Sequence, residues 1–296
     1  MPLLEGIGYA ADYRPDIQRD ELLQIIGKYE GLIVRSKTNI DKALIEKAAR
    51  LKFVARAGAG VDQIDVEVLQ SGHIHLLNAP EGNRDALAEH AMGMLLCLLN
   101  KIHWADQQVR KGIWDREGNR GAELMGKTIG LIGYGHMGQA FARRLSGFGV
   151  QVLAYDKYRQ NYGDAYARGA SMEQIFEQTD MLSFHIPLTA ETQYMVDVSY
   201  LNSFKRNIYL INTARGEIIK LEVLAKMLEN GKLKGAVLDV LENEKLNRLT
   251  PSQQTAFNKI IQSDRVIFTP HVAGWTYESY EKINQVLVAK IKLLNL

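Results

Sequence analysis

Arg215, Glu244 and His271 give this 296-residue chain a permanent cation, a carboxylate and an imidazole at comparable places in its pattern. Each follows an apolar run that reads as a strand, at residues 208–211, 236–240 and 266–268. In an open parallel sheet, ligands bind beyond the carboxyl ends of the strands, so the three side chains can converge on one point. Interconversion of a 2-keto acid and a 2-hydroxy acid needs this set. An arginine offers the planar, bidentate fork that matches a carboxylate. His271 can give a proton to the carbonyl oxygen in reduction and take it back in oxidation. Glu244 can hold the imidazole and favour its protonated form. Singly, each has a plain structural reading: a surface arginine before a glycine, a solvated acid in an acidic loop, a histidine after a proline that caps or packs. Their joint placement after three strands of one unit favours the chemical reading.

A second constellation defines a cofactor. An apolar run ends at Gly133-Tyr-Gly-His-Met-Gly138, a helical pattern follows, and a second apolar run ends in Asp156. This is the sequence form of strand, phosphate-binding turn, helix and strand. Gly133 permits the sharp turn, Gly135 lets the backbone approach a pyrophosphate, and Gly138 allows close helix packing. Backbone N–H groups and the positive end of the helix dipole then face the phosphates. Asp156 can accept hydrogen bonds from both adenosine ribose hydroxyls and would repel a 2′-phosphate, so NAD is expected rather than NADP. Lys157 beside it pulls slightly the other way.

These residues need a scaffold, and the patterning supplies one. Helical segments are expected at 20–29, 41–51, 61–70, 83–110, 172–178, 221–230 and 277–294, and strands at 31–35, 52–57, 74–78, 128–132, 150–155, 181–184, 208–211, 236–240 and 266–268, with a weak candidate at 9–13. Leu87, Ala91, Met94, Leu95 and Leu98 recur at helical spacing in the long 83–110 segment. Ser171 is placed as a helix N-cap, Thr250 as a helix start, and Gly231 as a helix stop. Strands separated by helices imply parallel sheets in a doubly wound α/β fold. Two units are expected: a smaller substrate domain at 1–80 with 272–296, and a dinucleotide-binding domain of Rossmann type at 81–271, with a cleft between them for a small-molecule substrate. A net charge of +2 gives no electrostatic case for nucleic acid or an anionic membrane. The apolar run 91–99 is too short to span a bilayer, and the start lacks signal-peptide character. Cys97 has no internal partner for a disulfide. A cytoplasmic protein without a metal site is the expectation.

Segments throughout the chain resemble D-isomer-specific 2-hydroxyacid dehydrogenases, and within them D-3-phosphoglycerate dehydrogenases. They are GLIVRSKT at 31–38, RAGAGVD at 56–62, NAPEGN at 78–83, LMGKT at 124–128, the 133–138 loop, HIPLT at 185–189, NTARG at 212–216, LDV at 238–240 and Pro270-His271. The resemblance implies that Arg215, Glu244 and His271 are the catalytic triad. Glu244 is preferred to Glu242 because it lies five residues after Asp239. The resemblance further implies backbone contacts to pyrophosphate from His136 and Met137, and cofactor contacts from His185, Pro187, Thr213, Ala214 and Asp239. Substrate contacts would come from Arg35, Ser36, Arg56, the N–H groups of Ala59 and Gly60, and Asn83, with Arg84 as an added cation. Arg35 and Arg56 point to a phosphorylated substrate, 3-phosphoglycerate, and so to serine biosynthesis; pairing with carboxylates such as Asp62 or Asp85 is the plainer reading of these arginines. A homodimer through the 83–110 region is implied, and no regulatory tail domain after residue 296.

Three departures from the pattern bear on function. The flavodoxin-like substrate domain lacks its first, central strand, which implies either a misplaced start or a rearranged sheet. Lys245 stands where the family usually has proline. The 245–264 segment is longer and more polar than usual, and with Lys245 it could shift Glu244 away from His271. The alternatives to phosphoglycerate oxidation are a hydroxypyruvate or glyoxylate reductase, an NAD-sensing binding protein on the same fold, and a catalytically poor product keeping only the cofactor domain.

Overall fold

A computed structural model describes residues 2–295. The chain divides into two compact units, residues 1–84 with 275–296, and residues 85–274.

The smaller unit holds β1 (Gly31–Val34), β2 (Phe53–Arg56) and β3 (His75–Asn78), parallel and in the order 1-2-3. Because side chains alternate across a strand, Val54 faces one layer and its neighbours Phe53 and Ala55 face the other. Val54 packs with Leu22, Ile26, Leu44 and Leu69. Phe53 and Ala55 pack with Ile283, Leu287 and Ile291 of the C-terminal helix Tyr277–Leu293, which thus returns to cover the first unit. Lys290 locks that helix in place by donating to the Asn78 carbonyl at 2.8 Å and to Glu81 at 2.9 Å.

The weak strand at 9–13 does not form. That stretch is irregular, and Tyr9 instead sets its ring edge-on against Phe53, 5.9 Å between centroids. No strand precedes β1 among the described residues, yet the sheet has no gap. β1 pairs directly with β2, Gly31 opposite Phe53, which satisfies backbone groups that a missing central strand would have stranded. The helix expected over 41–51 shrinks to Lys42–Ile45, capped by Asp41, and the one over 61–70 begins only at Val66.

The larger unit carries β4 (Thr128–Ile132), β5 (Gln151–Tyr155), β6 (Arg168–Gly169), β7 (Met181–Phe184), β8 (Ile208–Asn212), β9 (Leu233–Leu238) and β10 (Val266–Phe268). All run parallel in the order 10-9-8-7-4-5-6. The order reverses at β4, the topological switch point at which such sheets bind ligands. Apolar clusters lie on both faces, so β4 is buried along its whole length, as parallel strands require. Ser171 and Thr250 each form a reciprocal capping box with the residue three positions on.

The helix expected over 83–110 is two helices, Pro80–Leu99 and Ile102–Arg110. Lys101 adopts φ +52°, a left-handed conformation that breaks the run although the apolar spacing continues across it. No helix among the described residues is long and apolar enough to cross a membrane.

Candidate active site

The loop after β4 needs its glycines. Gly133 has φ +94°, and a Cβ there would lie 2.5 Å from the His185 carbonyl oxygen. A Cβ on Gly138, in the helix His136–Leu145, would lie 2.2 Å from the Gly133 carbonyl oxygen. Around Gly135, the helix N-cap, nothing lies within 4 Å of that position, so the backbone is open to a ligand. The N–H groups of a helix's first turn cannot be satisfied inside the helix, which suits this opening to phosphate oxygens.

Asp156 is fixed beside the loop. Its Oδ2 accepts from the Tyr134 N–H at 2.9 Å, and its Oδ1 from the N–H groups of Tyr158 and Arg159 at 3.0 and 3.1 Å. Acceptor capacity remains on Oδ2 for a ribose hydroxyl. The two nearby cations are occupied, Lys157 by Glu191 and Arg159 by the Tyr134 carbonyl at 2.9 Å.

His185, expected at the cofactor, turns its ring inward. Nε2 lies 3.0 Å from Ser183 Oγ and the ring packs 5.4 Å from Phe141. Burial pushes its pKa down to about 3, so it is neutral. Its carbonyl lies against Gly133 and its Cβ near Gly138, so the residue borders the loop while its ring packs away from it. Pro187 is exposed, and its carbonyl accepts from Thr192 Oγ1.

After β8, buried Asn212 shapes the turn that presents Arg215. Its Nδ2 donates to the Arg215 carbonyl at 2.8 Å, and its Oδ1 accepts from the Ala214 N–H at 3.1 Å. Arg215 Nη1 donates to the Ala214 carbonyl at 2.6 Å. Thr213 Oγ1 is buried without a hydrogen-bond partner, an orphaned donor and acceptor within this turn. Gly216 then packs on the next loop, where a Cβ would meet the Leu241 backbone at 1.9 Å.

The loop after β9 divides its acids. Glu242 Oε2 accepts from the Leu221 N–H at 2.8 Å and so caps the start of the earlier helix Leu221–Glu229. Glu244 Oε1 lies 2.8 Å from His271 Nδ1. Lys245 and the long segment after it do not disturb this pair: the segment folds into a short turn at Leu246–Arg248 and the helix Pro251–Ile261. The Glu244 hydrogen bond, reinforced by its charge, raises the His271 pKa against opposing desolvation and the positive charge of nearby Arg215. With Nδ1 on Glu244, Nε2 is the ring nitrogen left to meet a ligand. Both side chains are 49% exposed.

His271 is held in an uncommon backbone conformation, φ +56°. For a non-glycine residue this costs about 1–2 kcal/mol. Asp239, 2% exposed, offsets it. Its carbonyl accepts from the His271 N–H at 2.8 Å. Its carboxylate accepts from the Val272 and Ala273 N–H groups, both at 2.9 Å, and from Thr269 Oγ1 at 2.6 Å. Asp239 therefore clamps the His271 loop first, with one acceptor position left on Oδ2 for a ligand.

In the smaller unit, the expected substrate residues lie at or beyond the carboxyl ends of β1, β2 and β3. The Arg35 guanidinium stacks 4.2 Å from the Trp275 ring centroid and 5.6 Å from that of Tyr280. No hydrogen bond or ion pair engages it among the described residues, so its donors are unspent. Ser36 beside it is exposed. Arg56 Nη1 instead donates to the Ala57 carbonyl at 3.1 Å, with its guanidinium over Gly58. Asn78 Nδ2 donates to the Ala59 carbonyl at 2.8 Å, which steadies the Ala59–Gly60 backbone. Asn83 Oδ1 is buried without a partner. Asp85 pairs with Arg144 rather than with a candidate substrate arginine.

His90, Thr269 and Trp275 were not singled out from sequence. His90 had a signal: it interrupts the apolar stripe of Leu87, Ala91 and Met94. Trp275 had none, because an exposed tryptophan after a glycine has no fixed meaning.

A family model described as D-isomer specific 2-hydroxyacid dehydrogenase, NAD binding domain, matches residues 92–273. A hydroxypyruvate reductase of Thermotoga maritima is 35% identical over 275 residues, covering 93% of this chain and 88% of that protein. A D-3-phosphoglycerate dehydrogenase of Archaeoglobus fulgidus is 33% identical over 286 residues; the match covers 96% of this chain but only 53% of that protein. Among solved structures, a D-lactate dehydrogenase of Aquifex aeolicus complexed with NAD and lactic acid superposes with a TM-score of 0.81 at 27% identity, covering 92% of this chain and 85% of that one.

Proposed function

The chain belongs to the D-isomer-specific 2-hydroxyacid dehydrogenases and is an NAD-dependent oxidoreductase, and from that premise we propose that it interconverts 3-phosphoglycerate and phosphohydroxypyruvate through Arg215, Glu244 and His271. The His271–Glu244 pair at 2.8 Å supports the chemistry. The observation that carries the choice of substrate is Arg35, stacked on Trp275 with its donors unspent. A substrate phosphate is the group such a guanidinium fits.

The fit to the cofactor rests on the open backbone at Gly135, the remaining acceptor position of Asp156 and the orphaned Thr213 Oγ1. When bound, NADH supplies a hydride to the substrate C2. Arg215 receives the substrate carboxylate in its bidentate fork and fixes the carbonyl beside His271. His271 Nε2–H gives its proton to the carbonyl oxygen, and the imidazole keeps its Nδ1 proton on Glu244. In the reverse direction the neutral ring takes the hydroxyl proton back. Asp239 keeps the loop in place throughout.

A second reading is a hydroxypyruvate or glyoxylate reductase. It is favoured by Arg56, whose guanidinium lies on its own loop, and by the similarity to the Thermotoga hydroxypyruvate reductase. An NAD-sensing binding protein would have no need of the assembled His–Glu pair. The assembly proposed is a homodimer through the segment after Leu99, where Ile102, Val109, Ile113, Trp114 and Met125 expose large apolar side chains. Specificity constants for phosphohydroxypyruvate, hydroxypyruvate and glyoxylate with NADH test the substrate reading. It requires the phosphorylated acid to exceed the others by tenfold or more, about the worth of one charge-assisted contact; equal constants would reject it.

A further inference from the structure

We propose that His90, on the helix Pro80–Leu99, is a positioning residue for proton transfer: it holds Thr269, and through Thr269 and Asp239 it keeps His271 in its left-handed conformation with Nδ1 on Glu244. This rests on the assignment of His271 as the proton-transferring group.

The proton count fixes the direction of the chain of bonds. Thr269 Oγ1 carries one proton and lies 2.6 Å from Asp239 Oδ1, a buried carboxylate oxygen that can only accept. The Thr269 proton is therefore spent on Asp239, in preference to the weakly accepting Met94 sulfur at 3.3 Å. His90 Nε2, 3.0 Å from the same Oγ1, must then be the donor. The same nitrogen lies 3.8 Å from Asp239 Oδ1. Oδ1 thus accepts from the Thr269 hydroxyl and the Val272 N–H, with His90 just beyond the hydroxyl, and Oδ2 accepts from the Ala273 N–H.

Those two N–H groups bracket the consequence for His271. A loop whose next two residues are tied to one carboxylate cannot relax φ at His271 without breaking both bonds. The His271 N–H is also shared between the Asp239 and Thr269 carbonyls, at 2.8 and 3.0 Å. Thr269 therefore acts on the loop through its hydroxyl and its carbonyl, and His90 is the side chain that orients the hydroxyl. If Thr269 rotates away, Asp239 loses one of its three ligands and the loop gains freedom. The charged groups around the His271 ring are Glu244, Arg215 and Asp239, and their balance depends on that loop staying in place.

The test compares His90→Phe, which keeps a ring and removes the donor, with His90→Gln, whose amide nitrogen reaches a similar position. For keto-acid reduction with NADH, His90→Phe should lower kcat by about tenfold, the scale of one buried hydrogen bond, with the KM for NADH unchanged. NMR titration of His271 in the protein without cofactor should show its pKa falling back toward an ordinary imidazole. His90→Gln should restore both. If His90→Phe does not fold, Thr269→Val against Thr269→Ser asks the same question from the other end of the bond. The proposal is overturned if the variants lacking a donor or hydroxyl keep wild-type kcat and the wild-type His271 titration, or if the conservative variants fail equally. Loss of activity in His271→Ala beside neutral His90 and Thr269 variants would overturn this inference alone. Full activity in His271→Ala would overturn the functional reading beneath it.

Discussion

In the proposed reaction His271 both gives and recovers a proton, so it must change its charge near the working pH. The Glu244 hydrogen bond raises its pKa, so the protonated form persists to higher pH than in a free imidazole. Reduction consumes that form. Its kcat/KM should be flat below the raised pKa and fall as pH climbs through it, while oxidation rises over the same range. Glu244→Gln removes the leading cause of the shift, so the inflection should move to lower pH; an unmoved inflection in the pH profile would show that another group titrates. Asp156 makes a separate prediction. Asp156→Ala should reduce the ratio of NAD to NADP specificity constants, and an unchanged ratio would reject the ribose argument. At the substrate end, Trp275→Ala should free the Arg35 guanidinium and raise KM for phosphohydroxypyruvate by a few-fold, the scale of one cation–π contact of roughly 0.5–1 kcal/mol. KM for hydroxypyruvate should hardly change, and equal effects on the two would count against a phosphate contact at Arg35.

At the scale of elements, every candidate group is presented by a turn that only certain residues can make. Gly216→Ala places a methyl group 1.9 Å from the Leu241 backbone, so the loops carrying Arg215 and Glu244 must separate. A loss of thermal stability together with a fall in kcat is expected; wild-type values for both would mean the two loops are not coupled. Much of this was legible in the sequence. The strands 128–132, 181–184 and 266–268 are legible because strands buried on both faces are short, continuous apolar runs. The helix 172–178 was bounded by its capping serine. What could not be read depended on tertiary context. The break at Lys101 is a single left-handed residue inside an unbroken apolar pattern. The weak strand at 9–13 is irregular chain, and its Tyr9 ring sits edge-on against Phe53, a contact that no local pattern announces. The direct β1–β2 pairing was hidden because register belongs to the sheet, not to either strand. The inward turn of the His185 ring onto Ser183 has no sequence signal. Glu244 and Glu242 were separable only by the family pattern until the helix cap at Leu221 accounted for the second acid.

The whole molecule is close to charge balance, 36 basic against 34 acidic residues, so its ligands are recognised by local groups rather than by a long-range field. The exposed apolar row from Ile102 to Met125 is the feature that a lone chain leaves unexplained. Trp114, 84% exposed, is its largest member. Trp114→Glu should convert a dimer to a monomer in sedimentation analysis; a wild-type protein that is already monomeric at micromolar concentration would reject the assembly proposed. The central claim is that one histidine transfers the proton. The most direct measurement is steady-state NADH oxidation with saturating keto acid by His271→Ala, with NADH binding followed by fluorescence. Turnover should fall by at least ~100-fold, the lower range for losing a general acid, while the affinity for NADH stays the same. Near-wild-type turnover in that variant would contradict the account.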